Sequence, residues 1–158
     1  MLSACAAAGV YPREAFTAAG GFDEDFFAYM EDVDLDFRLQ LLGYPCYYLP
    51  QAVVRHAGSG STSSRSDLVI FYGHRNLVWT FIKDMPGWLF WAMLLPHLLV
   101  NLLYLIVALF LPMRNAMYRA KWAAFKGLPA AWKKRKEVQS QRKVSVRTIA
   151  SLLEWNPF

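Results

Sequence analysis

From Tyr29 to Leu42 the apolar residues Val33, Phe37 and Leu41 recur at every fourth position, and Leu35 and Leu39 follow Glu31 on a neighbouring stripe. This period predicts an amphipathic helix, with Gly43 as its C-terminal stop. Upstream, Leu2 to Val10 is a run of small apolar residues ended by Pro12, which predicts a buried strand; Arg13 to Ala19 then predicts a short helix closed by Gly20-Gly21. Tyr44 to Val54 reads as a strand pair, or as one strand bent at Pro50, before the polar Gly/Ser-rich loop "RHAGSGSTSSRS". Asp67 to Lys83 returns to helical spacing, with Leu68, Phe71, Tyr72, Arg75, Val78, Trp79 and Ile82.

After Pro86 the pattern changes. Trp88 to Leu111 holds 24 residues without a formal charge, which as a helix would reach about 36 Å and satisfy the length of a membrane span. Pro96, His97 and Asn101 interrupt it. The basic stretch that follows predicts a cytoplasmic side for the tail. If the preceding half is cytoplasmic too, a single span cannot place both. A bend at Pro96, giving a re-entrant or interfacial hairpin with half-helices near Trp88 to Leu95 and Leu98 to Leu111, relieves the conflict and is the preferred reading over a simple span.

Composition sharpens this division. The 158 residues are 56% hydrophobic and 16% aromatic, high for a soluble chain of one modest domain. Residues 1–113 carry six Lys/Arg against ten Asp/Glu, whereas Arg114 to Arg147 carries eleven basic residues against Glu137 alone. Met117, Trp122, Phe125 and Trp132 are interleaved with those cations, the pattern of a basic amphipathic element that inserts aromatic side chains while Lys and Arg meet anionic lipid. Nucleic acid is not the expected partner, because a hydrophobic segment immediately precedes the basic block. Cys5 and Cys46 lack metal-type spacing and read as ordinary small apolar residues, not as a disulfide. No basic n-region or long apolar h-region opens the chain, so a signal peptide is not expected.

The richest chemistry lies in "GGFDEDFFAYMEDVDLDFRLQLLG", Gly20 to Gly43, where seven carboxylates are interleaved with large apolar side chains. A solvated acidic tail would lack those side chains, so these acids are folded against something. Asp34 stands four residues before Arg38, the spacing of a surface ion pair, and Asp36 suits a solvated face. Glu31 and Asp32 fall at the helix start, where the macrodipole favours negative charge. They also follow "FFAYM", beside aromatic surface that can raise a carboxylate's pKa. An EF-hand loop starting at Asp32 is excluded, since it would need Gly at Phe37 and Glu at Gly43.

This segment, followed by "PQAVVRHAGSGS", resembles the acceptor half of family-2 glycosyltransferases with the GT-A fold, particularly bacterial rhamnosyl- and galactofuranosyl-type enzymes. The resemblance covers about Ser3 to Lys83 and combines GG-F-D-E, E-D-x-D-L, a Gly after one helix and a His after the next expected strand. It implies an α/β fold class: a partial GT-A domain lacking its N-terminal half over residues 1–85, then a membrane hairpin or span over 86–112 and a basic membrane-surface tail over 113–158. It implies that Asp32 is the catalytic base for the acceptor hydroxyl, with Glu31 orienting it or serving as the base in some variants. A carboxylate within about 3 Å can remove that proton as the hydroxyl attacks the sugar C1 and inverts the anomer. His56 would join a metal site for Mg²⁺ or Mn²⁺ on the nucleotide diphosphate, and Ser59 and Ser61 lie in a loop whose amides can cradle phosphate. Phe22, Asp34 and Arg75 would line the acceptor side, with Arg75 of "YGHRN" near an acceptor diphosphate.

The donor-binding strands and the family's Asp-x-Asp are missing from the chain; "DVD" and "DLD" fall inside the predicted E-D helix. The expectation is therefore part of a larger enzyme, needing its N-terminal half to bind a nucleotide-sugar donor. Its acceptor would be a lipid-linked glycan or polysaccharide in cell-wall synthesis, at the cytoplasmic face of a bacterial inner membrane. A non-catalytic membrane-anchoring or adaptor segment that retains the motif is the alternative.

Overall fold

The computed structural model describes residues 2–56 and 67–153. Seven α-helices form in them: α1 (Arg13–Ala18), α2 (Glu31–Leu41), α3 (Asp67–Asp84), α4 (Gly87–Ala108), α5 (Arg114–Lys126), α6 (Leu128–Ser140) and α7 (Val146–Leu152). Short 3-10 turns occur at Ala6–Ala8 and Glu24–Phe26. No strand is present among the described residues, so the α/β GT-A expectation is overturned. Neither segment expected as a strand pairs with another: Leu2 to Val10 turns through a 3-10 helix at Ala6–Ala8, and Tyr44 to Val54 is irregular with turns at Pro50 and Gln51. Val10 is 94% exposed and Val53 85% exposed, the opposite of a buried strand.

The helix expectations fare differently. Both α1 and α2 end in the paired hydrogen bonds of a Schellman cap. At α1, Gly20 N–H reaches the Thr17 carbonyl (3.0 Å) and Gly21 N–H that of Phe16 (2.9 Å). At α2, Gly43 N–H bonds Gln40 (3.0 Å) and Tyr44 N–H bonds Leu39 (2.9 Å), with Gly43 at φ 90°. The two apolar stripes of α2 feed two clusters. Phe37 and Leu41 pack with Leu89 and Ile149, whereas Leu35 and Leu39 pack with Ala15 and the rings of Tyr11 and Phe16.

α3 is the central helix, against which α2, α5 and α6 pack. Small buried residues of α5 and α6, namely Ala116, Ala120, Ala124 and Ala131, allow close approach. At the α5–α6 corner a Cβ on Gly127 would run into the Trp79 ring, and the Trp79 indole N–H donates to the Ala124 carbonyl at 3.1 Å. The carbonyls at the end of α3 are capped from α6. Arg135 donates to Ile82 (2.7 Å) and Met85 (2.6 Å), and Gln139 to Lys83 (3.2 Å) and Asp84 (2.9 Å).

α4 is one continuous helix that runs through Pro96. By length and composition it could cross a membrane. The tail also departs from a purely superficial role: Met117 is buried, while Trp122, Phe125 and Trp132 are exposed.

Candidate active site

The loop that delivers the Glu31–Asp32 pair is held in an unusual backbone path. Phe27 has φ 60° and ψ −57°, and the Ala28 N–H returns to the Phe26 carbonyl at 2.7 Å, which makes Phe27 the centre of a γ-turn of the strained hand. Tyr29 (φ 64°) and Met30 (φ 69°) follow in left-handed conformations. Each such non-glycine residue costs on the order of 1–3 kcal/mol, and strain of this kind persists only where surrounding groups over-determine it.

Asn76 supplies that determination. It is wholly buried, and its amide nitrogen donates to the carbonyls of Phe26 (2.9 Å), Ala28 (2.9 Å) and Tyr29 (2.7 Å). Arg75 donates to the Asn76 side-chain oxygen (2.9 Å), which fixes the way the amide points. The same guanidinium reaches the Asp25 carbonyl (2.6 Å) and the Phe26 carbonyl (3.1 Å), and lies over the Trp79 ring at 4.2 Å. Phe27 leans on Tyr72 with ring centroids 5.0 Å apart. "YGHRN" is thus a clamp on the acidic loop in this structure, and Arg75 directs its donors to the Asn76 side chain and to backbone oxygens.

Most of the seven carboxylates are committed. Asp34 is wholly buried, accepts from Arg38 (2.6 Å) and pairs with Lys83. The pair expected at the surface from its spacing therefore sits in the interior. Arg38 also donates to the carbonyls of Ala19 and Gly21, binding α2 to the end of α1. Lys83 reaches Asp23 at 2.7 Å, and Lys134 reaches Asp23 (2.5 Å) and Asp25 (2.6 Å). Burial alone would raise the Asp23 pKa, but hydrogen bonds from Lys134 and Lys83 outweigh it and hold it at about 2. Asp84 lies beside this network, fully buried. Burial and the nearby Asp34 carboxylate push its pKa well above the usual carboxylate range.

Asp36 is buried rather than solvated, because it serves the N-terminal segment: Ser3 Oγ (2.9 Å) and Ala4 N–H (2.6 Å) both donate to it. Asp32 does the same one turn earlier, accepting from Ala6 N–H at 3.1 Å and from Val33 N–H at 2.8 Å. Tyr11 stands close to both acids; burial first, and their charge second, raise the pKa of its hydroxyl. Glu31 differs from all of these. It is partly buried, its Oε2 is enclosed without a hydrogen-bond partner, and burial together with the charge of Asp32 raises its pKa.

The remaining sequence candidates are dispersed. Phe22 is 43% exposed and packs edge-on to Phe16 at 5.5 Å. His56 is exposed, while Ser59 and Ser61 lie outside the described residues. Among the described residues no three His, Cys, Asp or Glu side chains converge to hold a metal ion. The described residues by themselves do not supply a donor set for Mg²⁺ or Mn²⁺. An open cleft of about 460 Å³ borders the acidic segment, lined by Phe22, Asp23, Asp25, Arg38, Lys83 and Lys134 among others. Neither Glu31 nor Asp32 contributes to its lining.

Comparison with known proteins adds one finding. Over 77 residues, 48% of the chain, it is 42% identical to N-acetylglucosaminyl-diphospho-decaprenol L-rhamnosyltransferase of Mycobacterium tuberculosis, in two strains. The likeness supports a glycosyltransferase family. The chain spans about a quarter of the length of these curated relatives, 25% of each. No family model and no solved structure matches the chain.

Asn76 and Tyr11 were missed in the sequence as site residues. The one available signal for Asn76 was a polar Arg-Asn step inside an otherwise apolar helical run. Nothing in the spacing of Tyr11 pointed to Asp36 or Asp32, since their proximity depends on how the N-terminal segment folds back over α2.

Proposed function

We propose that this chain is the acceptor-side part of a membrane-associated, inverting glycosyltransferase of the rhamnosyl-transferring kind. Its donor is a nucleotide-diphosphate sugar and its acceptor a polyprenyl-diphosphate-linked glycan in cell-surface polysaccharide assembly, at the cytoplasmic face of a bacterial inner membrane. The observation that carries this reading is the Glu31–Asp32 pair, delivered by a strained loop that Asn76 and Arg75 hold in place. The likeness to the mycobacterial rhamnosyltransferase supports the substrate class.

In the reaction the acceptor hydroxyl oxygen forms a bond to the sugar C1 as the bond from C1 to the diphosphate oxygen breaks. The hydroxyl proton passes to the carboxylate of Asp32, and the nucleoside diphosphate leaves with the electron pair. Two hydrogen bonds from backbone amides orient Asp32. Glu31 stands beside it with a raised affinity for protons, suited to take that proton onward.

A chimera tests the proposal. Residues 3–83 of this chain replace the corresponding part of the mycobacterial rhamnosyltransferase, and transfer from nucleotide-rhamnose to the lipid acceptor is measured. The expected outcome is retained transfer that Asp32→Asn lowers by about 10²–10⁴-fold, with a smaller loss for Glu31→Gln. A folded but inactive chimera would remove the transferase reading; unchanged turnover in Asp32→Asn would remove the base.

A further inference from the structure

α4 touches the rest of the molecule along one stripe for its whole length. The Phe90 ring stacks on Phe81 (5.2 Å) and meets Trp132 edge-on (5.7 Å). One turn and more further along, the His97 ring lies parallel to Phe81 at 4.0 Å. Asn101 accepts from Lys121 of α5, and the Tyr104 ring meets His74 of α3 at 4.9 Å. Near the end, the Leu105 carbonyl accepts from the Tyr118 hydroxyl at 3.1 Å, and Ala108 is buried. Positions 90, 97, 101, 104 and 108 are spaced as one face of a helix, and that face carries His97, Asn101 and Tyr104, the residues with polar side chains on α4.

The opposite face has no charged, amide or hydroxyl side chain. Trp88, Trp91, Leu95, Leu98, Leu102 and Ile106 recur at three- and four-residue steps, and each is exposed. A helix of 22 residues is long enough to cross a bilayer, but a spanning helix must part from the aqueous body at one end. α4 does not part from it. Standing upright, it would draw α3 and α5 into the hydrocarbon together with Arg75, Arg119 and Lys121, and charges at that depth are expensive.

We propose that α4 is an in-plane membrane helix: it lies along the surface of an anionic bilayer, with the Trp88 to Ile106 face in the acyl boundary and α3 and α5 behind it on the aqueous side. Charge complementarity identifies this occupant. Tyr118 is tied to α4, and Tyr118, Trp122 and Phe125 continue as one exposed stripe of α5, flanked by the exposed cations Arg114, Arg119 and Lys126. Apolar side chains between cations are what a headgroup boundary receives. The placement keeps the acidic segment and the basic tail on the same side of the membrane with an unbroken α4. It deepens the membrane association of the proposed function and does not depend on the transfer chemistry.

The test uses the full chain with Cys5→Ser and Cys46→Ser and one new cysteine at a time: Leu95→Cys, Leu98→Cys, Leu102→Cys or Ile106→Cys. Each is labelled with an environment-sensitive fluorophore and mixed with vesicles of phosphatidylcholine and phosphatidylglycerol. Part of the lipid is brominated either near the headgroup or near the bilayer centre. These side chains are exposed, and far-UV circular dichroism verifies the helix content of each variant. Shallow bromines should quench all four positions to a similar extent, central bromines should quench them weakly, and omitting phosphatidylglycerol should lower binding at least tenfold. Strongest central quenching at Leu98, with shallow quenching at both ends of α4, would overturn the proposal in favour of a span while preserving membrane association. No quenching at any position would overturn both, and sedimentation as a dimer would then assign the face to a second copy of the chain.

Discussion

Asp34 and Glu31 stand one turn apart on α2, both carboxylates among large apolar neighbours, and the structure treats them in opposite ways. Asp34 is wholly buried and meets Arg38 and Lys83. Glu31 is partly buried with an oxygen left unpartnered. The difference arises from what faces each position. The middle of α2 looks onto the end of α3, where Lys83 points inward to Asp34 and Asp23, and Lys134 of α6 closes over Asp23 from the other side. The first turn of α2 looks onto the clamped loop and the N-terminal segment; Asp32 accepts from Ala6 N–H of that segment and from Val33 N–H of its own helix, and no ion pair reaches Glu31 or Asp32 among the described residues. One half of the acidic segment neutralises the interior. The other leaves an enclosed Glu31 oxygen without a hydrogen-bond partner and raises that group's pKa.

The largest effect should come from removing charge on the committed side. Asp34→Asn leaves Arg38 and Lys83 short of a partner in the interior and should cost about 3 kcal/mol, the low end for a broken buried pair, because Asp84 can then ionise beside Lys83. Asp84→Asn should act with the opposite sign at pH 7, raising stability, because asparagine removes a carboxyl whose ionisation burial and Asp34 oppose in the folded chain. Urea denaturation of the two variants decides the matter. Equal losses from both would show that the two acids share one role and would dissolve the contrast between them.

Next comes the clamp, which links the two halves. Asn76→Ala strips the donor from three carbonyls in a buried position and should cost about 2–3 kcal/mol. In the chimera it should also lower turnover by about a hundredfold, since the loop that aims Glu31 and Asp32 relaxes towards ordinary backbone angles. Asn76→Asp is the sharper variant: it keeps the shape but turns a second oxygen towards three carbonyls, and it should be no better than alanine. A stable Asn76→Asp protein with full turnover would show that the loop holds its path unaided.

How much of this was legible follows from the range of each interaction. α2 was readable because its period and the left-handed Gly43 are local. So was the Asp34–Arg38 pair, which spacing alone announces, although its depth depends on α3 and was misjudged. The partners of Asp23 were not readable, since Lys83 and Lys134 lie 60 and 111 residues away. The two expected strands failed for a related reason: an apolar run becomes a strand only beside another, and Leu2 to Val10 instead gives amide hydrogens to Asp32 and Asp36. The basic tail was read by composition as wholly superficial. Lys121, Lys134 and Arg135 turn inward because Asn101, the acidic loop and the end of α3 each present oxygens to them.

The smallest expected effect separates Asp84 from the joint between α3, α4 and α5 by the sign of its pH dependence. His74 is partly buried there, and burial, with the charge of Lys121 adding to it, lowers its pKa to about 4. Its unfolded value is about 6.5, so its contribution is complete above that pH and is lost as pH falls towards 4. Discounted for partial exposure, the loss is about 1–2 kcal/mol. Asp84 works the other way: its raised pKa makes stability rise as pH falls, until the unfolded carboxyl is protonated as well near its ordinary value of about 3.9. The two slopes oppose one another in the wild-type chain over that window. Taking differences resolves them. The stability gained by Asp84→Asn should shrink as pH falls from 7 towards 4, whereas His74→Gln should compare better with wild type over the same range. Parallel difference curves from urea midpoints would mean that one buried network, rather than two separate ones, governs the acid response.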